Sequence, residues 1–173
     1  MTRPVRLAVT GHQKREGADW DWVAEELRRI LADRPVERGF SCLAVGSDQI
    51  FADVALSLEI PVTAVIPITD YERCFDGDGL QRYRRLLARC DRLELRSSAS
   101  EEQAFLDAGR IVADSADELI AIWDGKPAQG LGGSADVVRH CVDRGMPVLH
   151  LNPISRDIRE IYPNIPLEGE ALS

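Results

Sequence analysis

The strongest constraint on what this chain can fold into is an alternation of short, nearly continuous apolar runs with amphipathic helical periods. The runs are Val5–Thr10, Phe40–Val45, Val62–Ile66, Glu118–Trp123 and Pro147–Leu151, rich in Val, Ile and Leu. Runs without polar interruption are how strands covered on both faces read, because neither face meets water. Between them the apolar residues change to helical spacing: Val23, Leu27, Ile30, Leu31; Ile50, Phe51, Val54, Ala55, Leu58; Ala104, Phe105, Ala108, Ile111, Val112; and Val137, Val138, Cys141, Val142. Strand and helix in strict alternation imply right-handed βαβ units, and so an α/β fold of three layers around a mostly parallel sheet of five or six strands.

Local signals agree with these boundaries. Asp19 stands before the first helix, Ser100 with Gln103 forms a capping-box pattern, and Ser134 stands where the last long helix should begin. Gly145-Met146-Pro147 closes that helix and opens the next strand. Arg82–Cys90 reads as a further helix, with Tyr83, Leu86, Leu87 and Cys90 inward, and Arg92–Arg96 as a short edge strand. One Rossmann-like domain is expected over residues 1–152. Residues 153–173, with their prolines and alternating charge, are expected as a tail packed on the domain or between subunits. A chain of this type starts mid-sheet, builds outward and then crosses back beside its first strand. The crevice between the ends of Val5–Thr10 and Glu118–Trp123 is then the switch point where open α/β sheets bind ligands.

Charge narrows the partners. With 21 basic and 29 acidic residues the net charge is −8, so nucleic acid is an unlikely partner on the argument that a duplex-binding surface needs excess cations. A small phosphorylated ligand is still compatible, since backbone N–H groups can hold a phosphate on an acidic protein. Cys42, Cys74, Cys90 and Cys141 are widely spaced, with no C-x-x-C pair and no leader ahead of them, which points to a reduced cytoplasm. No run is long enough to span a membrane, and neither a metal site nor a cofactor is read from the sequence.

Three strand-end turns carry residues suited to a ligand. Thr10-Gly11-His12 offers close backbone approach, a hydroxyl and an imidazole. Gly46-Ser47-Asp48 leads into a helix; Ser47 or Asp48 serves as its N-cap, or Asp48 accepts from a ribose or a base. The third turn runs from Trp123 and Asp124 through Gly130, Gly132, Gly133 and Ser134 to Asp136, and its glycines and following helix dipole suit an anion. Trp123 there is a stacking platform or a packed side chain, and Asp136 complements the dipole or reaches a sugar. The loop is neither a Walker A sequence nor a G-x-G-x-x-G fingerprint. On the arginine-rich helix, Arg82 is either part of a solvated face or part of a phosphate clamp.

Thr10-Gly11-His12, Gly46-Ser47-Asp48-Gln49-Ile50-Phe51-Ala52 and Gly132-Gly133-Ser134-Ala135-Asp136, with Gly145-Met146-Pro147-Val148, together resemble the SLOG superfamily, over about residues 5–151. That group takes in the lonely-guy (LOG) phosphoribohydrolases and DNA-processing protein A. The resemblance implies a Rossmann-like sheet binding a nucleotide-derived small molecule across the glycine loops, commonly in a homodimer, with phosphate on the last loop. LOG enzymes carry P-G-G-x-G-T-x-x-E, whose glutamate serves glycosidic cleavage. Matching Gly133-Ser134 to their Gly-Thr puts Val137 at the glutamate position, and Asp136 projects about 100° away around a helix. A nucleotide-binding, sensor-type protein is therefore expected. The alternative is an N-glycosidic enzyme, a phosphoribohydrolase or deoxyribosyltransferase-like, with Asp48, Asp124 or Asp136 as the carboxylate.

Overall fold

A computed structural model describes residues 3–96, 100–127 and 133–161. The parallel strands are β1 (Val5–Gly11), β2 (Val36–Ser41), β3 (Val62–Ile66), β4 (Asp91–Glu94), β5 (Glu118–Ile122) and β6 (Val148–Asn152), and β7 (Asp157–Ile161) is antiparallel. The helices are α1 (Trp20–Ala32), α2 (Ser47–Ser57), α3 (Gly77–Leu87), α4 (Glu101–Asp114) and α5 (Ser134–Asp143), with a short 3-10 turn at Tyr71–Cys74. Strand order is β4-β3-β2-β1-β5-β6-β7, so the chain builds outward from β1, then crosses to its other side. β1 and β5 pair in parallel, Thr10 against Ala121 and Gly11 against Ile122.

Side-chain alternation along the strands divides the core into two halves. Leu7 and Val9 of β1 with Ile120 and Ile122 of β5 pack under α1, α2 and α3, against Val23, Leu27, Phe51, Val54 and Leu86. Ala8, Leu119 and Ala121 point the other way, against Ala108 and Val112 of α4 and Val137 and Cys141 of α5. This makes the three-layer α/β architecture, with every central strand covered twice.

Three local outcomes differ from the sequence reading. The sheet has seven strands rather than five or six, because residues 157–161 pair with β6 from Val148↔Ile161 to Asn152↔Asp157. Asp-Ile-Arg-Glu-Ile is mostly charged and exposed, which suits an edge strand. β2 ends at Ser41 instead of Val45: the backbone turns at Leu43, whose φ is 57°, and Cys42–Val45 form a bend above the sheet. That bend is apolar because Leu43 is fully buried. α3 begins at Gly77, ahead of Arg82, and the edge strand β4 occupies Asp91–Glu94.

The caps follow local chemistry. Asp19 Oδ1 accepts from the Trp22 N–H at 2.9 Å, and Ser100 Oγ from the Gln103 N–H at 3.1 Å. The Gln103 amide turns away to Asp107, 2.8 Å, so only half of a capping box forms. No described helix is long and apolar enough to cross a membrane.

Candidate functional site

The β1 and β2 turns are locked together. The Ser47 N–H and Oγ–H both donate to the His12 carbonyl, at 3.1 and 3.0 Å. A Cβ at Gly11 would collide with the Ser47 side chain and the Ile122 carbonyl, and one at Gly46 with the carbonyls of His12 and Gln13. Gly46 also holds φ at 89°, a region that side chains disfavour. These glycines let two turns interlock above the sheet. The N-caps of α2 and α5 are Gly46 and Gly133, neither with a side-chain cap; Ser47 and Ser134 are the first helical residues, and the Ser47 hydroxyl is committed to β1.

Above the carboxyl ends of β1, β2 and β3 lies a cavity of about 390 Å³. Thr10, Gly11 and His12 line it from β1, Cys42 and Asp48 from the β2 turn and α2, and Gly133, Ser134 and Val137 from α5. Tyr71, Phe75 and Phe105 form its aromatic wall, Tyr71 meeting Phe75 edge-on with ring centroids 4.9 Å apart. A second cavity of about 460 Å³ adjoins it and shares His12, Gly133 and Ser134. Its other walls are Lys14, Arg15, Trp123, Asp124 and Lys126. One compartment thus has an aromatic wall and the other three cations, and the start of α5 stands between them.

Asp124 organises the cationic compartment. Its carboxylate accepts from Arg15 Nε at 3.1 Å and the Lys126 N–H at 3.0 Å, while its own N–H donates to His12 Nε2 at 3.1 Å. Because Nε2 accepts that bond, its 3.4 Å approach to Asp124 Oδ1 is a contact rather than a donated hydrogen bond. Burial pushes the Asp124 carboxyl up, but the Lys126 N–H and Arg15 outweigh it and hold it below the ordinary carboxylate range. Trp123 is 7% exposed, its ring 4.0 Å from that of His150 and its Nε1–H donating to the Lys126 carbonyl, so only part of it reaches the cavity wall. His150 Nε2–H in turn donates to the Trp123 carbonyl at 2.8 Å.

Asp48 is the one carboxyl among the described residues lining the aromatic compartment. It is 8% exposed, and burial raises its carboxyl to about 7 against the opposing pull of the Ala44 and Cys42 N–H groups. Burial also pushes the Cys42 thiol and the Tyr71 phenol well up, so both stand as neutral groups.

The structure thus brings Thr10, Gly11, His12, Asp48, Gly133 and Ser134 to one cavity, with Trp123 and Asp124 beside the second. Gly46 and Ser47 shape the turn beneath. Asp136 lies elsewhere, in the groove between α4 and α5 with Arg110 and Arg139, while Val137 faces the cavity, as the helical period requires. Arg82, half-buried on α3, lines neither compartment. Gly130 and Gly132 lie outside the described residues. Sequence reasoning passed over Lys14, Arg15 and Lys126, and the aromatics Tyr71, Phe75 and Phe105. A usable signal for this wall was Gly109 inside α4: a helix-interior glycine costs about 1 kcal/mol relative to alanine, and here it lines the cavity, where a Cβ would press on Val137.

No family model matches the chain, and no curated protein does. Solved structures do. DNA processing protein A from Helicobacter pylori, described for its unique single-stranded DNA binding mode, superposes with a TM-score of 0.62 at 17% identity over 85% of this chain and 65% of that one. DNA processing protein A from Streptococcus pneumoniae gives 0.60 at 18% identity, over 85% of this chain and 50% of that one. The chain shares the Rossmann-like fold of these proteins. A structural-genomics target, TM1055, gives 0.52 at 15% identity, over 83% of this chain and 71% of that one. The chain spans half to two thirds of the two DNA processing proteins.

These neighbours correct one expectation. The net charge of −8 argued against nucleic acid as a partner, yet single-stranded DNA binding is described for a protein of the same fold. A charge summed over the chain says nothing about cations gathered at one cleft, and the fold here gathers Lys14, Arg15 and Lys126.

Proposed function

We propose that this protein binds a nucleotide unit, its base in the aromatic compartment and its phosphate at the start of α5 beside Lys14, Arg15 and Lys126. The observation that carries the reading is the junction of the two cavities at His12, Gly133 and Ser134. A nucleotide has the same division, an apolar flat base joined through a sugar to an anion. The first-turn N–H groups of a helix have no intrahelical acceptor, and with the helix dipole they favour a phosphate. Aromatic walls favour a base through stacking.

Calorimetric titration with nucleoside monophosphates and short single-stranded DNA checks it. Saturable binding is expected, lost in Gly133→Val, whose side chain would stand where the compartments meet, and weakened about tenfold or more in Arg15→Ala. Gly133 has φ −70°, which valine tolerates, so the variant should still fold. Unchanged affinity in folded Gly133→Val would remove the phosphate assignment. The homodimer implied by the superfamily goes with this reading, and sedimentation of the nucleotide-bound protein as a species of twice 19.2 kDa checks it.

One observation favours an N-glycosidic enzyme as the second reading: Asp48 stands in the base compartment with a carboxyl raised to about 7, a value suited to a general acid. Glycosidic cleavage uses two carboxylates flanking the bond, and the described lining supplies one, with Val137 where a LOG enzyme keeps its glutamate. Binding without turnover is therefore the reading adopted. Chromatography of the incubated nucleotides decides; multiple-turnover release of free base, lost in Asp48→Asn, would replace it.

A further inference from the structure

The base compartment has an uneven polarity that bears on which base it takes. Its walls are largely apolar or aromatic along the 3-10 turn and α4, and polar at Asp48, at the β1 turn and at Ser134. The groups facing Asp48 can be named element by element. The β1 turn brings His12, whose Nε2 is engaged by the Asp124 N–H. The bend after β2 brings Cys42 and Ala44, whose backbone N–H groups donate to the Asp48 carboxyl, and the 3-10 turn brings Tyr71 and Cys74; α4 contributes Phe105, Gly109 and Val112, and α5 Ser134 and Val137. Among the described residues no Lys or Arg lines this compartment, and none is paired with Asp48. An ionised carboxylate here would be buried with only the two backbone N–H donors and no cation, a costly state that leaves its desolvation in excess. The protonated group is not: it offers one O–H donor and one carbonyl acceptor side by side.

We propose, building on the nucleotide reading above, that Asp48 is the base-discriminating residue of this cavity and acts as a carboxylic acid, selecting an edge that pairs a ring-nitrogen acceptor with an amino donor, as adenine and cytosine present. The acid's O–H donates to the ring nitrogen, and its carbonyl accepts from the exocyclic amine. Ionisation leaves two acceptors, which suit neither base but match the adjacent N–H donors of guanine. The same side chain therefore prefers adenine when protonated and loses that preference when it ionises.

The experiment is calorimetric titration of the whole chain with adenosine monophosphate and guanosine monophosphate, at about pH 5.5 and about pH 8, read as the ratio of the two affinities. The two ligands share phosphate ionisation, so the ratio cancels it. A ratio favouring adenosine monophosphate by about tenfold at the lower pH and falling about tenfold or more at the higher is expected. In Asp48→Asn the amide retains a donor and an acceptor but cannot titrate, so the preference should persist at both pH values. A merely structural Asp48 would leave the wild-type ratio independent of pH, and that result, or a preference for guanosine monophosphate at the lower pH, overturns the proposal. Equal affinities at both pH values also overturn it while leaving nucleotide binding standing. Absence of any binding removes both readings together. The wild-type ratio needs no variant, so a misfolded Asp48→Asn does not obscure the outcome.

Discussion

At the scale of a residue, Asp48 makes the folding energy itself sensitive to pH. Burial raises its carboxyl from 3.8 to about 7, so between those values the folded chain holds a proton that the unfolded chain has released. Stability then falls as pH rises through that window, by up to about 1.4 kcal/mol per pH unit. Below the window both states are protonated, and above it the cost of the buried charge is fully present. Asp117 and Asp124 slope the other way: their folded values lie below the ordinary range, so they lose stability only as pH falls further. Urea unfolding of wild type and Asp48→Asn at about pH 5 and about pH 8 separates the two slopes. The wild type is expected to weaken relative to the variant at the higher pH; parallel behaviour would mean that the carboxyl is not held neutral.

At the scale of an element, the site rests on two turns that interlock because neither has a Cβ at the crossing. Ser47→Ala removes one hydroxyl donor from a carbonyl that retains the Ser47 N–H, and about 1 kcal/mol should be lost. Gly46→Ala adds a side chain at φ 89° and drives it into two carbonyls of the β1 turn. That combination should cost about 2 kcal/mol or more, read from urea midpoints; equal losses in the two variants would refute the interlock. His12, Asp48, Gly133 and Ser134 were legible in the sequence because each sits where a strand pattern stops and a helix pattern starts. Phe75 and Lys14 were not, since Tyr71–Phe75 and Gln13–Ala18 have no period to place them, and only the fold carries them to the sheet's edge. β7 escaped for a related reason: Asp-Ile-Arg-Glu-Ile has no strand period, and pairing with β6 is a tertiary fact. The Cys42–Val45 bend misled because burial, the property that marks a strand, also marks a turn packed under a helix.

At the scale of the whole molecule, an acidic chain with a local cationic compartment should treat a nucleic acid differently from a basic protein. Self-repulsion from the net charge of −8 works against long contacts, whereas Lys14, Arg15 and Lys126 provide attraction at one place. Binding of a single strand releases about 0.7 counterion per phosphate neutralised, so three cations acting together give log K against log salt a slope of about −2. A long oligonucleotide should therefore bind no more steeply with salt than a short one, because phosphates beyond the compartment meet an acidic surface. Lys14→Ala should make the slope shallower by about 0.7, with little change in base preference, since Lys14 lines the phosphate compartment and Asp48 the base compartment. Titration of oligonucleotides of two lengths over a range of salt concentrations measures both quantities. A slope that steepens with strand length would mean that the strand runs over a wider basic track than this cleft, and would move the nucleic-acid contact away from it.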